Sequence, residues 1–274
     1  MKAVLFLAGM GDVIRTIYQT DRYRYISEAT SPVPIILASH NPFTSEIFRY
    51  HRNARNFVIY ELAHKYDEFL ASGLRGEEID QALCAFAGLE YDPSLSPPLE
   101  GYDPPFYAPD GMDSSGHIVL QPFAGNDFFR TLPPPLMERM LPILRAQSCP
   151  VYLITRSYFR QGATGRQIHG IEDGRRYAGG NIHLLENLSV PASLNLMKQA
   201  RCYVGSWSSL QQTAWFANKP VAVWYPSTHV DVVERTPYAF GLDRDDCLHA
   251  PYSRFSEEEF GAWLERWQPS ASAV

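Results

Sequence analysis

Short apolar runs recur along the chain, separated by longer stretches in which apolar positions return every three or four residues. The runs at 3–8, 33–38, 56–61, 117–122, 150–155 and 181–184 have strand length and end in Gly, Pro or polar residues. The intervening stretches at 13–29, 63–74, 76–89, 135–147 and 191–200 predict helices. Another helix runs through Arg52, with Thr44 as its N-cap, and Glu77 and Glu78 give the 76–89 helix an acidic start. The segment 202–225 compresses the pattern into one unit: a strand, the turn Gly205-Ser206-Trp207-Ser208-Ser209, a short helix and a second strand. After Pro226 the chain reads as irregular until Ser256 caps an acidic helix over 257–267, and 269–274 reads as a loose tail.

Strands alternating with helices imply parallel sheets with helices on both faces. The pattern breaks once, at 91–116, where Pro93, Pro97, Pro98, Pro104, Pro105 and Pro109 stand among Ser, Gly and Asp. Such a stretch is stiff and poor in helix, so the expected organisation is a first α/β lobe at 1–100, a linker at 101–116 and a second lobe at 117–274. Open α/β sheets bind ligands at the C-terminal ends of their strands, which places the expected cleft between the two lobes.

Composition narrows the picture. With 274 residues and 45% hydrophobic content the chain is long enough for two cores, and a net charge of −6 gives no global attraction to nucleic acid or to anionic lipid. Cys84, Cys149, Cys202 and Cys247 are far apart, without a C-x-x-C pair or a His at zinc spacing. The expectation is therefore no metal, no disulfide framework and a reducing, cytoplasmic setting. The N-terminal apolar run is too short for a signal sequence and reads as a buried strand, and no run reaches the roughly 20 apolar residues of a membrane span.

Candidate chemistry gathers where strands end. Small residues and hydroxyls at Ser206, Ser208 and Ser209 stand at a helix N-terminus, where free N–H groups and the helix dipole suit a phosphate or a sugar hydroxyl. Gln212 lies one turn further on, facing either the same ligand or solvent. Asp12, after Gly9-Met10-Gly11, is either a cleft-facing carboxylate or an N-cap for the helix that follows. Gly125 and Asn126 offer an amide and backbone N–H at another strand end, or form a plain turn. Arg130 and Arg156 carry guanidinium groups that can pair with phosphate oxygens, and either can equally be an ordinary surface Arg. His40 ends the second strand on the side expected to hold an acceptor. Among the tryptophans, Trp207 suits a stacking wall, whereas Trp215 and Trp224 read as core.

Three places carry a resemblance. Gly11-Asp12-Val13-Ile14, the segment Val119-Leu120-Gln121-Pro122-Phe123-Ala124-Gly125 followed by Arg130, and residues 194–226 are similar to the loops of GT-B glycosyltransferases. Within that class the chain resembles the ADP-heptose:lipopolysaccharide heptosyltransferases, glycosyltransferase family 9. It departs from the family at Gln121, where the family has His, at Trp207 where it has Asp, at Ser209 where it has Gly, and at Gln212 where it has His. The resemblance implies two Rossmann-like lobes and a metal-independent, inverting transfer of a sugar from a nucleotide-diphosphate donor to an acceptor hydroxyl. It makes Asp12 the base, places Gly11 and His40 on the acceptor side, and gives the donor to Gly125, Asn126, Arg130, Arg156, Ser206, Trp207, Ser208, Ser209 and Gln212. No cofactor is implied beyond the nucleotide sugar; the acceptor is open among glycan, lipid, protein and nucleic acid. Two other readings share the architecture: a nucleotide-sugar epimerase, whose several carboxylates and His have no obvious counterparts here, and an inactive sugar- or nucleotide-binding module.

Overall fold

The computed structural model describes residues 1–6, 25–26, 28–39, 43–50, 53–93, 116–123, 131–155, 174–235, 242 and 244–267. Contacts divide the chain into two compact units, Met1–Tyr107 and Ala108–Val274.

In the first unit, β1 (Val4–Phe6), β2 (Val33–Leu37) and β3 (Phe57–Glu61) form a parallel sheet in the order β1-β2-β3. Every residue of β1 and β2 is buried, as expected of strands covered on both faces. Around this sheet lie α1 (Phe43–Ile47), α2 (Ala63–Ala71) and α3 (Glu77–Phe86). The α3 residues Ile79, Leu83 and Cys84 pack with Ala3, Leu5, Ile36 and Ala38. Thr44 does not cap a helix: it lies inside α1, buried, with its hydroxyl 3.1 Å from Ser39 Oγ. The helix starts two residues earlier than a Thr44 cap would imply, with the Thr44 side chain buried.

The second unit is built on a fully parallel six-stranded sheet. Its strands are β4 (His117–Gln121), β5 (Val151–Thr155), β6 (Ile182–Glu186), β7 (Ala200–Ser206), β8 (Val221–Tyr225) and β9 (Cys247–Pro251). They lie in the order β6-β5-β4-β7-β8-β9, the doubly wound order in which the winding direction reverses between the first strand and the fourth. The helices are α4 (Pro134–Arg145), α5 (Val190–Gln199), α6 (Ser209–Phe216), α7 (Val230–Arg235) and α8 (Glu257–Arg266). On α4, Leu136, Met137, Met140, Leu141 and Leu144 form one buried stripe, which joins Ile118, Leu120, Cys202, Val204 and Trp224 in the main core. Trp224 meets Phe260 and Phe255 edge-on, with ring centroids 5.1 and 5.3 Å apart. Trp215 is buried as well, so both tryptophans expected in the core are there.

The stretch expected to be irregular, 226–256, holds α7 and β9. β9 is an edge strand with one buried residue, so its sequence carries no apolar run to announce it. Ser256 does cap α8, accepting the Glu259 N–H at 3.2 Å. The four cysteines are free thiols, and among the described residues no helix is long and apolar enough to cross a membrane.

Candidate functional site

The winding of the sheet reverses between β4 and β7, and it is beyond the C-terminal ends of strands at such a switch point that open α/β sheets bind ligands. Gln121 ends β4, and Gly205 and Ser206 end β7, with Gln121 paired to Gly205. Gly205 has φ +155°, and a Cβ there would stand 2.2 Å from the Gln121 carbonyl oxygen. Only glycine lets the two backbones approach this closely, so the turn is fixed where the strands diverge.

Beyond Gly205 the chain turns through Trp207 into α6. Ser208 is the N-cap: its Oγ accepts the Gln211 N–H at 3.3 Å. Ahead of that bond, the amides of Ser209 and Leu210 have no acceptor within the helix. Two N–H groups with no acceptor among the described residues, at the positive end of a helix and at the switch point, form a ready environment for a phosphate or other oxyanion.

The hydroxyl of Ser208 is committed to the protein. It donates to Gln121 Oε1 at 2.8 Å and lies 3.0 Å from the Tyr203 hydroxyl. Tyr203 donates to the Ser206 carbonyl at 2.8 Å and also approaches Gln121 Oε1 at 3.3 Å. With its oxygen taken, the Gln121 amide turns its NH₂ to the Phe123 carbonyl at 3.3 Å. Burial holds the Tyr203 phenol protonated, far above its ordinary pKa, with the bonds to Ser208 and Ser206 pulling the other way. Ser206 is different: its Oγ is buried and has no hydrogen-bond partner among the described residues. The same holds for Oε1 of buried Gln212, one turn into α6. Trp207 is half-buried, and its indole meets the ring of His229, after β8, edge-on at 5.6 Å.

Of the residues the sequence marks for a donor, the structure thus gathers Ser206, Trp207, Ser208, Ser209 and Gln212 at one strand-to-helix turn. Gly11, Asp12, His40, Gly125, Asn126, Arg130 and Arg156 lie outside the described residues. Sequence reading passed over Tyr203 and treated Gln121 only as a departure from a family pattern. A signal for Tyr203 existed: a tyrosine inside a buried strand must bring its hydroxyl to a partner.

Each unit is built on a parallel α/β sheet, a fold shared with solved glycosyltransferase structures. Among solved structures, the chain is similar to the E. coli heptosyltransferase WaaC with ADP, at TM-score 0.62 and 11% identity over 98% of this chain and 100% of that one. It is similar also to a glycosyl transferase family 9 protein from Veillonella parvula, at TM-score 0.61 and 10% identity over 97% of this chain and 96% of that one. The E. coli ADP-heptose lps heptosyltransferase II gives TM-score 0.55 and 13% identity over 97% and 98%. At such identities the likeness is one of fold. No protein-family model matches the chain, and no curated protein matches it in sequence.

Proposed function

We propose that the protein is a glycosyltransferase that moves a sugar from a nucleotide-diphosphate donor to an acceptor hydroxyl, with the diphosphate held at the turn between β7 and α6. The observation that carries this reading is the placement of the Ser209 and Leu210 amides at the β4/β7 switch point. The fold shared with WaaC, which was solved with ADP, supports it.

In the proposed reaction the acceptor oxygen attacks the anomeric carbon as the bond from that carbon to the diphosphate oxygen breaks, inverting the centre. The diphosphate leaves with the bonding electrons, and Asp12 takes the acceptor proton. The α6 amides, with Gly125, Asn126 and the guanidinium groups of Arg130 and Arg156, stabilise the charge that develops on the leaving group without a metal. Ser206, Ser209 and Gln212 contact the donor directly. Trp207, standing where the resembled family carries a carboxylate, gives the donor an indole face in place of a charge. Gly11 and His40 belong to the acceptor side. The acceptor is a hydroxyl-bearing molecule whose class follows from neither lobe.

Thermal unfolding of the full chain with ADP, UDP and GDP tests the binding half. At least one should raise the midpoint, and no rise with any of them would overturn the reading. Donor hydrolysis tests the chemistry: Asp12→Asn should retain the nucleotide shift and lose turnover by about 10²-fold or more. Nucleotide binding without turnover in the wild type, across candidate acceptors, would favour a binding module.

A further inference from the structure

The hydroxyl of Tyr203 lies at the centre of the turn and faces no solvent. Its single proton has two acceptors in good range, the Ser206 carbonyl at 2.8 Å and Ser208 Oγ at 3.0 Å. Ser208 in turn has one proton, which goes to Gln121 Oε1 at 2.8 Å, while its oxygen receives the Gln211 amide. The group therefore links three points. Within β7 and its turn, Tyr203 ties residues on both sides of Gly205, where the backbone alone has no side chain to hold it. Across the switch point, Gln121 ties the turn to β4. Through Ser208, the same group fixes the first turn of α6, which aims the Ser209 and Leu210 amides. Tyr203 is fully buried and Gln121 and Ser208 are half-buried, so removing the phenol hydroxyl takes a buried donor from the Ser206 carbonyl and one bond from Ser208.

We infer that Tyr203 is a positioning residue: its hydroxyl, acting through Ser208 and Gln121, holds the β7–α6 turn in the geometry that binds an oxyanion. That the oxyanion is the diphosphate of a nucleotide sugar rests on the function proposed above. Tyr203 does not touch the ligand in this account. Its contribution is to spare the turn from having to order itself when the ligand arrives, so its loss appears in affinity rather than in the chemical step.

Two measurements on the full chain test this separately. The first needs no ligand: amide hydrogen exchange should quicken by about tenfold or more over 206–212 in Tyr203→Phe and remain at the wild-type rate over 144–155. Unchanged exchange over 206–212 would overturn the inference whatever the protein binds. The second titrates wild type and variants with whichever of ADP, UDP or GDP stabilises the wild type. Tyr203→Phe and Ser208→Ala should each weaken it by about tenfold, the double variant by no more than about twofold beyond Ser208→Ala, and Ser208→Thr should bind as wild type. Met140→Ala, a cavity in the α4 stripe remote from the turn, should lower stability yet leave affinity alone. Multiplying losses in the double variant, or an equal loss in Met140→Ala, would overturn the inference by showing that Tyr203 acts independently of Ser208 or through stability alone. Faster exchange in Tyr203→Phe without nucleotide binding by the wild type would uphold the positioning role and overturn the diphosphate.

Discussion

The two ends of β4 and β7 hold polar groups of the same kind and use them differently. At the N-terminal end, buried Arg201 donates to the Leu264 carbonyl at 2.7 Å, to Gln147 Oε1 at 3.3 Å and to Cys149 Sγ at 3.4 Å, with no carboxylate among these partners. The paired register skips it, since His117 pairs with Ala200 and Ile118 with Cys202, and such an extra residue re-aims its side chain. Nearby, Asn181 donates to the carbonyls of Leu144, Gln147 and Cys149, and His117 Nε2 lies 2.9 Å from the Leu196 carbonyl. The last turns of α4, α5 and α8 thus each have one carbonyl met by a side chain, and Arg201 brings a fixed positive charge to the negative end of α8. Arg201 Nε and Asn181 Oδ1 have no hydrogen-bond partner among the described residues. At the C-terminal end Tyr203, Ser208 and Gln121 are tied to one another, and the α6 amides and the Ser206 hydroxyl are left over. Where the helices finish, the leftover atoms sit on the same side chains that meet helix carbonyls; where α6 begins, backbone donors are left over, and these suit an anion.

The sharpest way to break the comparison is Gly205→Ala. A Cβ placed 2.2 Å from a carbonyl oxygen, at a φ other residues avoid, must push β4 and β7 apart. The expected loss is about 2–6 kcal/mol by urea unfolding, and a loss under about 1 kcal/mol would show that the close approach is not required. At the other end, Arg201→Met should cost about 1–3 kcal/mol by taking a charged donor away from the Leu264 carbonyl, Gln147 Oε1 and Cys149 Sγ, while the folded fraction binds nucleotide as wild type does. Weakened binding at full occupancy of the folded state would mean that the two ends are not separable.

Acid should act through the buried histidines. Burial, helped by Lys219, lowers the His117 pKa against the opposing bond to the Leu196 carbonyl, and burial lowers that of His249 against Glu234. Between the ordinary histidine value and these lower folded values the unfolded chain binds more protons. Stability therefore falls as pH drops through that window and is flat above it. The melting temperature should decline from about pH 6.5 downward, and His117→Asn should shrink the decline; an identical acid profile in that variant would exclude His117 as a cause. The smallest effect on stability belongs to Ser206→Ala. Removing a buried hydroxyl with no partner should change unfolding by less than about 0.5 kcal/mol, yet weaken nucleotide binding several-fold. A stability loss as large as that of Arg201→Met would show that the Ser206 hydroxyl serves the fold rather than a ligand.

What the sequence determined by itself is local. Apolar runs of strand length, the serine before an acidic helix at Ser256 and the small residues after Val204 each report their own burial or backbone demand, and they located the strands, the α8 cap and the turn at 205–209. Where burial is partial the signal fades, which is why β9 and α7 went unread; Thr44 was misplaced for the opposite reason, a polar residue buried inside its helix. Only the tertiary structure decided the strand order. That order sets Gln121 beside Gly205, though more than eighty residues separate Gln121 from Tyr203 and Ser208. It also gave Arg201 its three partners and turned Tyr203 from one more aromatic in a buried strand into the centre of the turn. Periodicity records how much of a side chain is covered; it holds no information about which distant group meets the hydroxyl at its end.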